Sequence, residues 1–508
     1  MVLCKGSNEG STMSDIDERT IRLDKLKSLR DLGLNPFPSV TGRTHSCHDA
    51  RVLFDTLTES QKRIVLVGRI RNIRRHGGSA FLILEDGTDR FQIYIKKDDS
   101  GDTCFHIVKN LLDIGDFIQV EGFVFQTKTS EKTLHAFSCD ILSKALLPLP
   151  EQWHGLNDIE IRYRQRYLDL IANPDVRAIF MKRAKIVASL RSYFEQHGFM
   201  EVETPILQGI AGGAAARPFV THHYALDADM YLRVAPELYL KRLIIGGFER
   251  VFEFARCFRN EGVDHAHNPE FTQIEAYYAY VDCEFLMTFV EQMLAHTVQN
   301  VLDSNTAAYK GTHLAFTPPF QRMTFRESLL NYAHLDIGIH SQEEDLRKEA
   351  TNRGIDCTLH GSRAALYDEL FKVFVRPNLV QPIFITEYPV ELSPLAKRCA
   401  ENPHVTERFQ LVADGMEVVN GFSELNDPID QHERFLQQQK NRELGDEEVQ
   451  GTDMEFVTAL EYGMPPTAGF GMGIDRLTAL LTNSHSLKEV ILFPTLRQKK
   501  HETKKEKE

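Results

Sequence analysis

The segment from Glu249 to Asp282 constrains the fold of this chain more than any other part of the sequence. It contains two runs rich in Phe, Val and Tyr, VFEFARCFR and EFTQIEAYYAY, which are separated by the polar loop NEGVDHAHNP. Runs of this composition, joined through Gly and Asn-Pro, are typical of two antiparallel strands with a long connection. The sequence therefore predicts an antiparallel strand pair with a long connecting loop.

Charged side chains on these two strands point to a ligand or to internal ion pairs. Side chains alternate between the faces of a strand, so Glu253 and Arg259 share one face of the first strand. Phe271, Glu275 and Tyr277 share one face of the second by the same alternation. Burying unpaired charge is costly, so such a face needs charged partners. Two interpretations stay open here: a salt-bridge ladder, or a ligand with anionic, cationic and aromatic parts.

The bulk composition predicts a globular protein of the cytoplasm. The chain has 508 residues, enough for two or three domains, with 42% hydrophobic and 26% charged residues. No apolar run approaches the ~20 residues of a membrane helix, and the N-terminus lacks an apolar signal core. Eight scattered cysteines without a CxxC pair fit a reducing compartment. A net charge of −13 argues against a nucleic-acid partner unless the positive charges are clustered.

The N-terminal part of the chain contains such a cluster. Residues 1–18 are polar and predicted to be disordered, and a helix is expected from Thr20, with basic side chains that are either solvated or face RNA. Residues 63–143 contain evenly spaced strand-like runs that predict a small antiparallel barrel of the OB type. The run RIRNIRRHGG concentrates positive charge beside the aromatic residues Phe81 and Tyr94. This combination favours unpaired RNA as a ligand, and the alternative for each side chain is ordinary barrel surface or core.

The second half of the chain supplies further candidate functional residues. A long helix is predicted from Pro174 to about His197, and residues 283–375 read mainly as helices with short strands. Glu417 and Glu424 lie in one strand-like run, but on opposite faces if alternation is strict, so a bulge or break is expected at Gly421. Carboxylates beside a phosphate site indicate magnesium, and surface acids are the alternative.

Three motifs resemble those of the class II aminoacyl-tRNA synthetases, most closely the lysyl-tRNA synthetases. FRNEG with HNPEFTQIE resembles motif 2, and GMGIDRL after PPTAG resembles motif 3. FMEVETPIL resembles motif 1, in which a helix leads into a strand that ends at the motif's proline, here Pro205. The N-terminal barrel is similar to the family's anticodon-binding domain. The resemblance covers roughly residues 20–498. It implies an α+β fold, with an OB-type β-barrel and a catalytic antiparallel sheet flanked by helices, in a homodimer that forms through motif 1.

The resemblance also implies a division of the chain and a set of site residues. The expected segments are a disordered extension (1–18), the helix and OB barrel (19–148), a linker (149–175), the catalytic domain (176–498) with a helical insertion at about 283–375, and a charged tail (499–508). In the linker, a segment stiffened by proline is expected to lead into one charged helix, RYRQRYLDL. The expected catalytic residues are Arg259 and Arg476. The expected ATP-binding residues are Arg259, Glu261, His267, Asn268, Phe271, Glu417 and Arg476. The expected lysine-binding residues are Gly213 (or Gly212), Glu237, Arg259, Glu275, Tyr277, Asn420, Phe422 and Glu424. The expected anticodon-reading residues are Arg74, Phe81, Gln92 and Glu131. In the family, the glycines of motif 3, Gly469, Gly471 and Gly473, let a helix approach the sheet.

The implied activity is the ATP-dependent formation of lysyl-adenylate, followed by transfer of lysine to the 3′ end of the tRNA for lysine. Magnesium is the implied cofactor, with Glu417 and Glu424 as its expected ligands. Gln410 stands where the family commonly has Glu, which leaves the number of magnesium ions open. The alternatives are an aspartyl- or asparaginyl-type enzyme, a ligase that lysylates a protein, and an inactive RNA-binding relative. An aspartate pocket is expected to present basic residues where this chain has Tyr277 and Glu424.

Overall fold

The computed structural model describes residues 13–150, 156–214, 216–338, 343–357, 362–443 and 453–497. It divides into two compact units, the first ending at Asn157 and the second beginning at Asp158. The predicted tail (499–508), most of the predicted N-terminal extension and part of the predicted linker lie outside the described residues. Within the part of the chain described, none of the helices combines the length and the apolar character needed to cross a membrane.

The first unit is a closed five-stranded barrel with helices around it, as the sequence predicts. Its strands pair in the order β1-β2-β3-β5-β4. Its elements are α1 (Met13–Asp31), α2 (Cys47–Val52), α3 (Phe54–Ser60), β1 (Ile64–His76), β2 (Ser79–Glu85), β3 (Arg90–Lys96), α4 (Lys97–His106, continued by a π-helical turn over Ile107–Leu111), β4 (Phe117–Gln126) and β5 (Lys132–Ser143). Alternating buried positions such as Ile64 and Leu66 fill the barrel. Gly122 is required where β4 meets β5, because a Cβ there would lie 1.9 Å from the carbonyl oxygen of His135.

Helix α1 differs from its prediction in extent and in the role of its basic side chains. It begins at Met13 rather than Thr20, so residues 13–18 are helical rather than disordered. Arg22 is buried, and its Nη1 donates to the carbonyl oxygen of Ile114 at 3.1 Å. Lys25 pairs with Asp113 at 2.5 Å. These two cations therefore attach α1 to the barrel and do not present a face to RNA.

The second unit is built on one eight-stranded sheet with the order β14-β15-β16-β17-β18-β11-β10-β6. Its helices are α5 (Ile159–Arg164), α6 (Arg166–Ala172), α7 (Pro174–Gln196), α8 (Glu237–Ile245), α9 (Cys283–Leu302), α10 (Phe325–Ala333), α11 (Glu343–Asn352), α12 (Arg363–Leu370), α13 (Pro428–Glu443), α14 (Met454–Glu461), α15 (Ile474–Thr482) and α16 (Leu487–Val490). Its strands are β6 (Met200–Glu201), β7 (Leu207–Gln208), β8 (Val220–His223), β9 (Ala228–Leu232), β10 (Arg250–Phe258), β11 (Glu270–Ala279), β12 (Thr306–Tyr309), β13 (Thr312–Ala315), β14 (Gln321–Thr324), β15 (Ile383–Pro389), β16 (Val405–Ala413), β17 (Met416–Ser423) and β18 (Thr467–Gly473).

The pairing of this sheet confirms the predicted antiparallel strand pair. Strands β10 and β11 are antiparallel, with Glu253 opposite Glu275. The two outermost pairs, β6 with β10 and β14 with β15, are parallel, whereas the inner pairs are antiparallel. The predicted helical insertion thus also contributes β14, an edge strand of the sheet.

One face of the sheet is covered by helices. The other face is packed by α8 and α14 near β10 and by α10 and α12 near β15, and it remains open between them for a site. Side chains of α7, α9 and α15, such as Phe194, Met293 and Leu477, pack with Phe470 and Ile274 of the sheet in the largest core of the unit. The predicted helix from Pro174 is confirmed, and Gly198 follows it with a positive φ of 76°. This packing leaves the odd-numbered side chains of β11 facing away from the core.

Two local predictions in this unit were wrong. The bulge of β17 lies at Val418, because the register with β16 shifts between Leu411 and Val412, whereas Gly421 pairs regularly. Glycine is instead required at position 421 by close packing, because a Cβ there would lie 2.6 Å from the ring of Phe409. The charged run RYRQRYLDL forms two short helices that meet at Gln165 and not one helix.

Candidate active site

A cavity of about 500 Å³ lies over the open face of the second unit's sheet. Strands β11, β16, β17 and β18 form its floor, and loops of the same unit close its sides. The lining includes these expected residues: Gly213, Glu237, Arg259, Glu261, His267, Asn268, Phe271, Glu275, Tyr277, Gln410, Glu417, Asn420, Phe422 and Arg476. The structure therefore brings together side chains that are more than 250 positions apart in the chain. Glu424 lies behind the lining, fully buried, and Gly212 does not line the cavity.

One end of the cavity is acidic. The hydroxyl of Tyr277 donates to Oε2 of Glu275 at 3.0 Å, and Nε2 of Gln273 donates to Oε1 at 2.6 Å. The pKa of Glu275 is raised well above its usual range, because the carboxyl is buried and lies near the Glu237 carboxylate. Burial raises the pKa of Glu424 to about 8. Three carboxyl groups thus converge on a poorly solvated space, which favours cationic ligands.

Lys241 is the cation that the sequence analysis missed at this end. Its Nζ lies 2.5 Å from Oε1 of Glu237 and 2.5 Å from Oε2 of Glu424, and its side chain is fully buried. Burial lowers its pKa, but the two carboxylates outweigh burial and raise it, so the ammonium stays charged. A signal was present in the sequence, because Glu237 and Lys241 are four residues apart on α8.

Of the two carboxylates predicted on β10 and β11, only Glu275 faces the cavity. Glu253 is buried and accepts from Arg233 at 2.5 Å and from the hydroxyl of Thr204 at 2.7 Å. For Glu253 the internal ion pair is therefore the correct interpretation.

The glycines of β18 make room for this acidic end. A Cβ at Gly469 would lie 2.4 Å from the ring of Tyr277 and 2.6 Å from Oε1 of Glu424. At Gly471 the nearest side-chain atom would be Cγ of Glu275, at 3.5 Å. The expectation that these glycines let a helix approach the sheet was wrong at these two positions, since their missing side chains belong to the cavity.

The other end of the cavity is basic. The Arg259 guanidinium lies 5.0 Å from the ring centroid of Phe271, and its Nε is buried without a hydrogen-bond partner among the described residues. Nη1 of Arg476 donates to the carbonyl oxygen of Glu417 at 3.0 Å. Arg376, which the sequence analysis missed, lies 3.2 Å from the carboxylate of Glu417. An unpaired guanidinium fork in such a place suits carboxylate and phosphate groups.

The loop between β10 and β11 borders the basic end. Glu261 and His267 are exposed, and Nδ1 of His267 lies 3.0 Å from Oδ2 of Asp264. Asn268 is buried, and its Oδ1 accepts from the backbone N–H of Thr495 at 3.1 Å. The loop is therefore anchored at Asn268 and at the carbonyl oxygen of His265, which accepts from the backbone N–H of Leu487 at 2.9 Å, while Glu261 and His267 stay exposed to a ligand.

The middle of the cavity carries neutral polar groups. Oδ1 of Asn420 accepts from Nε of Arg408 at 2.9 Å, and Arg408 also donates to Ser393 at 3.0 Å. Gln410 is buried, and its Oε1 accepts from the hydroxyl of Tyr388 at 2.8 Å. This part of the lining thus combines the neutral amides of Asn420 and Gln410 with the guanidinium of Arg408.

Of the two expected magnesium ligands, Glu417 lies where such a ligand is needed and Glu424 does not. Glu417 lies at the basic end, where a nucleotide phosphate would bring further oxygen ligands. Glu424 is paired with Lys241 at the acidic end, so it does not fit a role beside phosphates. Across the described residues there is no cluster of three or more His, Cys, Asp or Glu side chains suited to a metal ion.

The predicted RNA-binding residues lie on the outside of the barrel. Phe81 and Tyr94 pair across β2 and β3, with ring centroids 4.8 Å apart, and Phe81 is half-buried rather than part of the core. Nε2 of Gln92 donates to Oγ1 of Thr133 at 2.9 Å. Arg74 and Glu131 are exposed. Aromatic, amide and charged groups are therefore available on one unit of the chain for unpaired bases.

Comparisons with known proteins agree with this geometry. Residues 158–497 match the family described as tRNA synthetases class II (D, K and N), and residues 64–142 match the OB-fold nucleic acid binding domain. The lysine–tRNA ligase of Pelotomaculum thermopropionicum is 48% identical over 480 residues, 94% of each chain. The lysine–tRNA ligase of Moorella thermoacetica is 47% identical over 483 residues, 95% of this chain and 98% of the relative.

The fold, the two-ended cavity and the family match define the chain as a class II tRNA synthetase with an OB-fold anticodon-binding domain. Within that class it belongs to the family of lysine–tRNA ligases, because relatives of that name match it over nearly their whole length.

Proposed function

We propose that this chain activates L-lysine with ATP to lysyl-adenylate and transfers the lysine to the 3′ end of the tRNA for lysine. The observation that carries the proposal is the opposite charge of the two ends of one cavity. The acidic end suits the two ammonium groups of lysine, and the basic end suits a triphosphate. The family match alone covers enzymes for three amino acids, so the acidic end is what selects lysine among them.

The residues at the acidic end divide between the two ammonium groups. Glu237, with the backbone of Gly213 beside it, is assigned to the α-ammonium. Glu275, Tyr277 and Glu424 are assigned to the ε-ammonium, because a carboxylate and a hydroxyl are needed to accept its protons. None of these three positions carries a basic residue for an aspartate side chain, and the ammonium of Lys241 is already paired with Glu237 and Glu424. Asn420 and Phe422 are assigned to the walls around the lysine.

Adenylate formation follows from the placement of the two arginines. Arg259 is assigned to the lysine carboxylate and the α-phosphate, and Arg476 to the far phosphates, while Phe271 offers a stacking face for adenine. The lysine carboxylate oxygen attacks the α-phosphorus, and the bond to the bridging oxygen of pyrophosphate breaks. A terminal ribose hydroxyl of tRNA then attacks the lysyl carbonyl, and AMP leaves. Positioning and charge neutralisation are the main contributions of the protein to this chemistry.

The divalent cation is assigned to Glu417 together with phosphate oxygens of ATP. When bound, it would neutralise phosphate charge. The proposal therefore keeps Glu417 as a metal ligand and gives Glu424 to lysine alone.

The proposal extends to assembly and location. Apolar side chains are exposed around β6, β7 and β8, including Met200, Ile206, Leu207 and Val220, and they support a homodimer through the motif-1 region. The seven cysteines of the described part are free thiols, which supports a reducing compartment such as the cytoplasm.

Pyrophosphate exchange into ATP with each of the twenty amino acids tests the function. Exchange with lysine alone is expected, before any tRNA is added. Exchange with aspartate or asparagine would instead assign the chain to the other enzymes of its class. No exchange, with tRNA still bound, would indicate an inactive RNA-binding relative.

The barrel is tested separately from the cavity. Phe81→Ala and Gln92→Ala are expected to lower the rate of tRNA aminoacylation about 10-fold or more, because stacking and base contacts contribute about 1–3 kcal/mol each. The same variants are expected to leave lysine-dependent exchange unchanged. Equal losses in both assays would contradict the assignment of these residues to the anticodon.

A further inference from the structure

Gln410 lines the cavity, but the proposed reaction assigns no role to it. It lies on β16 opposite Asn420 of β17, two positions from Val412, which is opposite Glu417. Alternation puts Gln410 and Glu417 on the same face of the sheet, and both line the cavity. A carboxylate at position 410 would therefore stand diagonally across from Glu417.

The orientation of the Gln410 amide is fixed by Tyr388. The Tyr388 hydroxyl is buried, and the oxygen of Gln410 is the acceptor for its proton, at 2.8 Å. Burial raises the pKa of Tyr388 well above its usual range, so the hydroxyl keeps that proton. If the amide were reversed, the proton would lose its acceptor in a buried place, which is costly. The oxygen of Gln410 is thus occupied, and the amide nitrogen is the group left for the cavity.

An amide N–H₂ is a donor and does not bind a metal ion. Nε2 of Gln410 has no hydrogen-bond partner among the residues that the structure describes. The nearby Glu417 carboxylate already lies 3.2 Å from Arg376, and the backbone of Glu417 accepts from Arg476. Two other carboxyl groups line this end of the cavity, but Asp475 pairs with Arg183 at 2.6 Å and Glu261 is exposed on the loop. Glu417, surrounded by guanidinium groups, therefore has too little negative charge beside it to hold a divalent cation without further oxygen ligands.

We propose that Gln410 donates a hydrogen bond to a phosphate oxygen of the bound nucleotide, and that this chain takes up its divalent cation only together with the nucleotide. This inference rests on the proposed binding of ATP in the same cavity. The cation then has phosphate oxygens and Glu417 as ligands. The amide of Gln410 is a neutral donor. A carboxylate at this position would instead allow the metal ion to bind without the nucleotide.

The first experiment measures Mn²⁺ binding by electron paramagnetic resonance, with and without α,β-methylene-ATP, an analogue that cannot be cleaved between its α- and β-phosphates. The wild-type chain is expected to bind Mn²⁺ only when the analogue is present. Gln410→Glu is expected to bind Mn²⁺ without the analogue, at least about 10-fold more tightly than the wild type, since two carboxylates then face each other. Gln196→Glu adds the same charge on the exposed surface of α7 and is expected to behave as the wild type.

The second experiment measures the donor in the absence of any metal. In EDTA, Gln410→Ala is expected to weaken binding of the analogue about 10-fold, because a hydrogen bond to a charged phosphate is lost. Tyr388→Phe is expected to lose part of that affinity, and the double variant to lose no more than Gln410→Ala, since Tyr388 acts only by holding the amide. Thermal melting of each variant verifies its fold.

Each outcome supports or overturns the inference. Stoichiometric Mn²⁺ binding to the wild-type chain without nucleotide would overturn it, as would equal affinity of wild type and Gln410→Ala for the analogue in EDTA. Neither of these measurements requires the glutamate variant to fold. A wild-type chain that binds no analogue under either condition would contradict the proposed function itself, and the inference with it.

Discussion

At the scale of single residues, the acidic end of the cavity depends on one buried ammonium. Lys241 joins Glu237, assigned to the α-ammonium of lysine, to Glu424, assigned to its ε-ammonium. Its ammonium also lies 5.3 Å from the ring centroid of Phe422, which lines the cavity. Lys241 therefore acts as a positioning residue, since it sets the distance and the charge of two carboxylates without itself lining the cavity.

Replacing Lys241 by Met is expected to lower the free energy of unfolding by about 3–5 kcal/mol, because breaking a buried ion pair leaves an uncompensated charge. Lysine affinity is expected to fall more than ATP affinity, since both carboxylates lose their fixed position. Urea denaturation and isothermal titration calorimetry measure these effects. Lys372→Met is the matched control, because its pair with Asp368 is exposed and is worth about 0–1 kcal/mol. Equal destabilisation by the two variants would contradict the role of Lys241.

The raised pKa of Glu424, about 8, predicts a pH dependence of lysine binding. Below that pKa the carboxyl of the free protein holds a proton, and the ε-ammonium of lysine favours the ionised form. Binding must therefore release a proton, so lysine affinity is expected to rise as the pH increases from about 6 to 8, by up to about 10-fold per unit. Lys241 lies 2.5 Å from this carboxyl, and the charge of Glu237 and the hydroxyl of Tyr277 also interact with it.

Calorimetry in two buffers of different ionisation enthalpy counts the released protons directly. Glu424→Gln is expected to bind lysine weakly and without this pH dependence. A lysine affinity of the wild-type chain that stays constant between pH 6 and 8 would show that Glu424 is already ionised in the free protein.

At the scale of elements, strand β18 shows how a glycine pattern creates a site. Gly469, Gly471 and Gly473 occupy alternate positions on the cavity face, while Ala468, Phe470 and Met472 pack in the core on the other face. The strand can then lie flat beneath a ligand, and neighbouring side chains occupy the space above it. The three glycines are not equally important, because a Cβ atom would lie closer to its neighbours at Gly469 than at Gly471 or Gly473.

Gly469→Ala is expected to destabilise the protein by about 1–3 kcal/mol and to weaken lysine binding, because the new Cβ would lie 2.4 Å from the buried ring of Tyr277. Gly471→Ala is the matched control on the same face, and its Cβ would meet Glu275 only at an ordinary 3.5 Å. Thermal unfolding and lysine titration separate the two variants. If both alanines were equally tolerated, the packing of Tyr277 against β18 would not be required.

Local pattern was sufficient to predict most elements, but it did not predict long-range packing. The antiparallel pairing of β10 with β11 and the five barrel strands follow from composition and turns, and both are confirmed. Strand β14 pairs with a segment about 60 positions later, and no local signal indicates that. Gly421 was misassigned because bulges and close packing both require glycine, and the two cannot be distinguished without the neighbouring Phe409.

The sequence predicted those site residues that lie in recognisable motifs or alternate along one strand. Alternation alone grouped Phe271, Glu275 and Tyr277 on one face, and the structure confirms that all three line the cavity. Arg376 comes from a segment without any recognisable motif, so only the fold could bring it to Glu417. The remaining role assignments stay predictions, because the geometry brings the residues together without identifying what each one binds.

At the scale of the whole molecule, the exposed apolar surface around β6 is expected to be covered by a second copy of the chain. Strand β6 is a two-residue edge strand, and Met200 is 45% exposed, Ile206 44% and Val220 59%. A short edge beside apolar side chains is unfavourable on a monomer surface, since it leaves backbone groups and apolar area in water. The homodimer proposed from motif 1 would remove both.

Ile206→Asp combined with Val220→Asp is expected to convert a dimer into a monomer, because two buried charges at an interface cost several kcal/mol. Multi-angle light scattering after gel filtration should then give the mass of one chain, 58.1 kDa, where the wild type gives twice that mass. Ile429→Asp is the control, since Ile429 is 71% exposed at the start of α13 and lies outside this surface. If the wild-type chain is already monomeric, this apolar surface binds a different partner. If the double variant remains dimeric, the dimer forms through a different face.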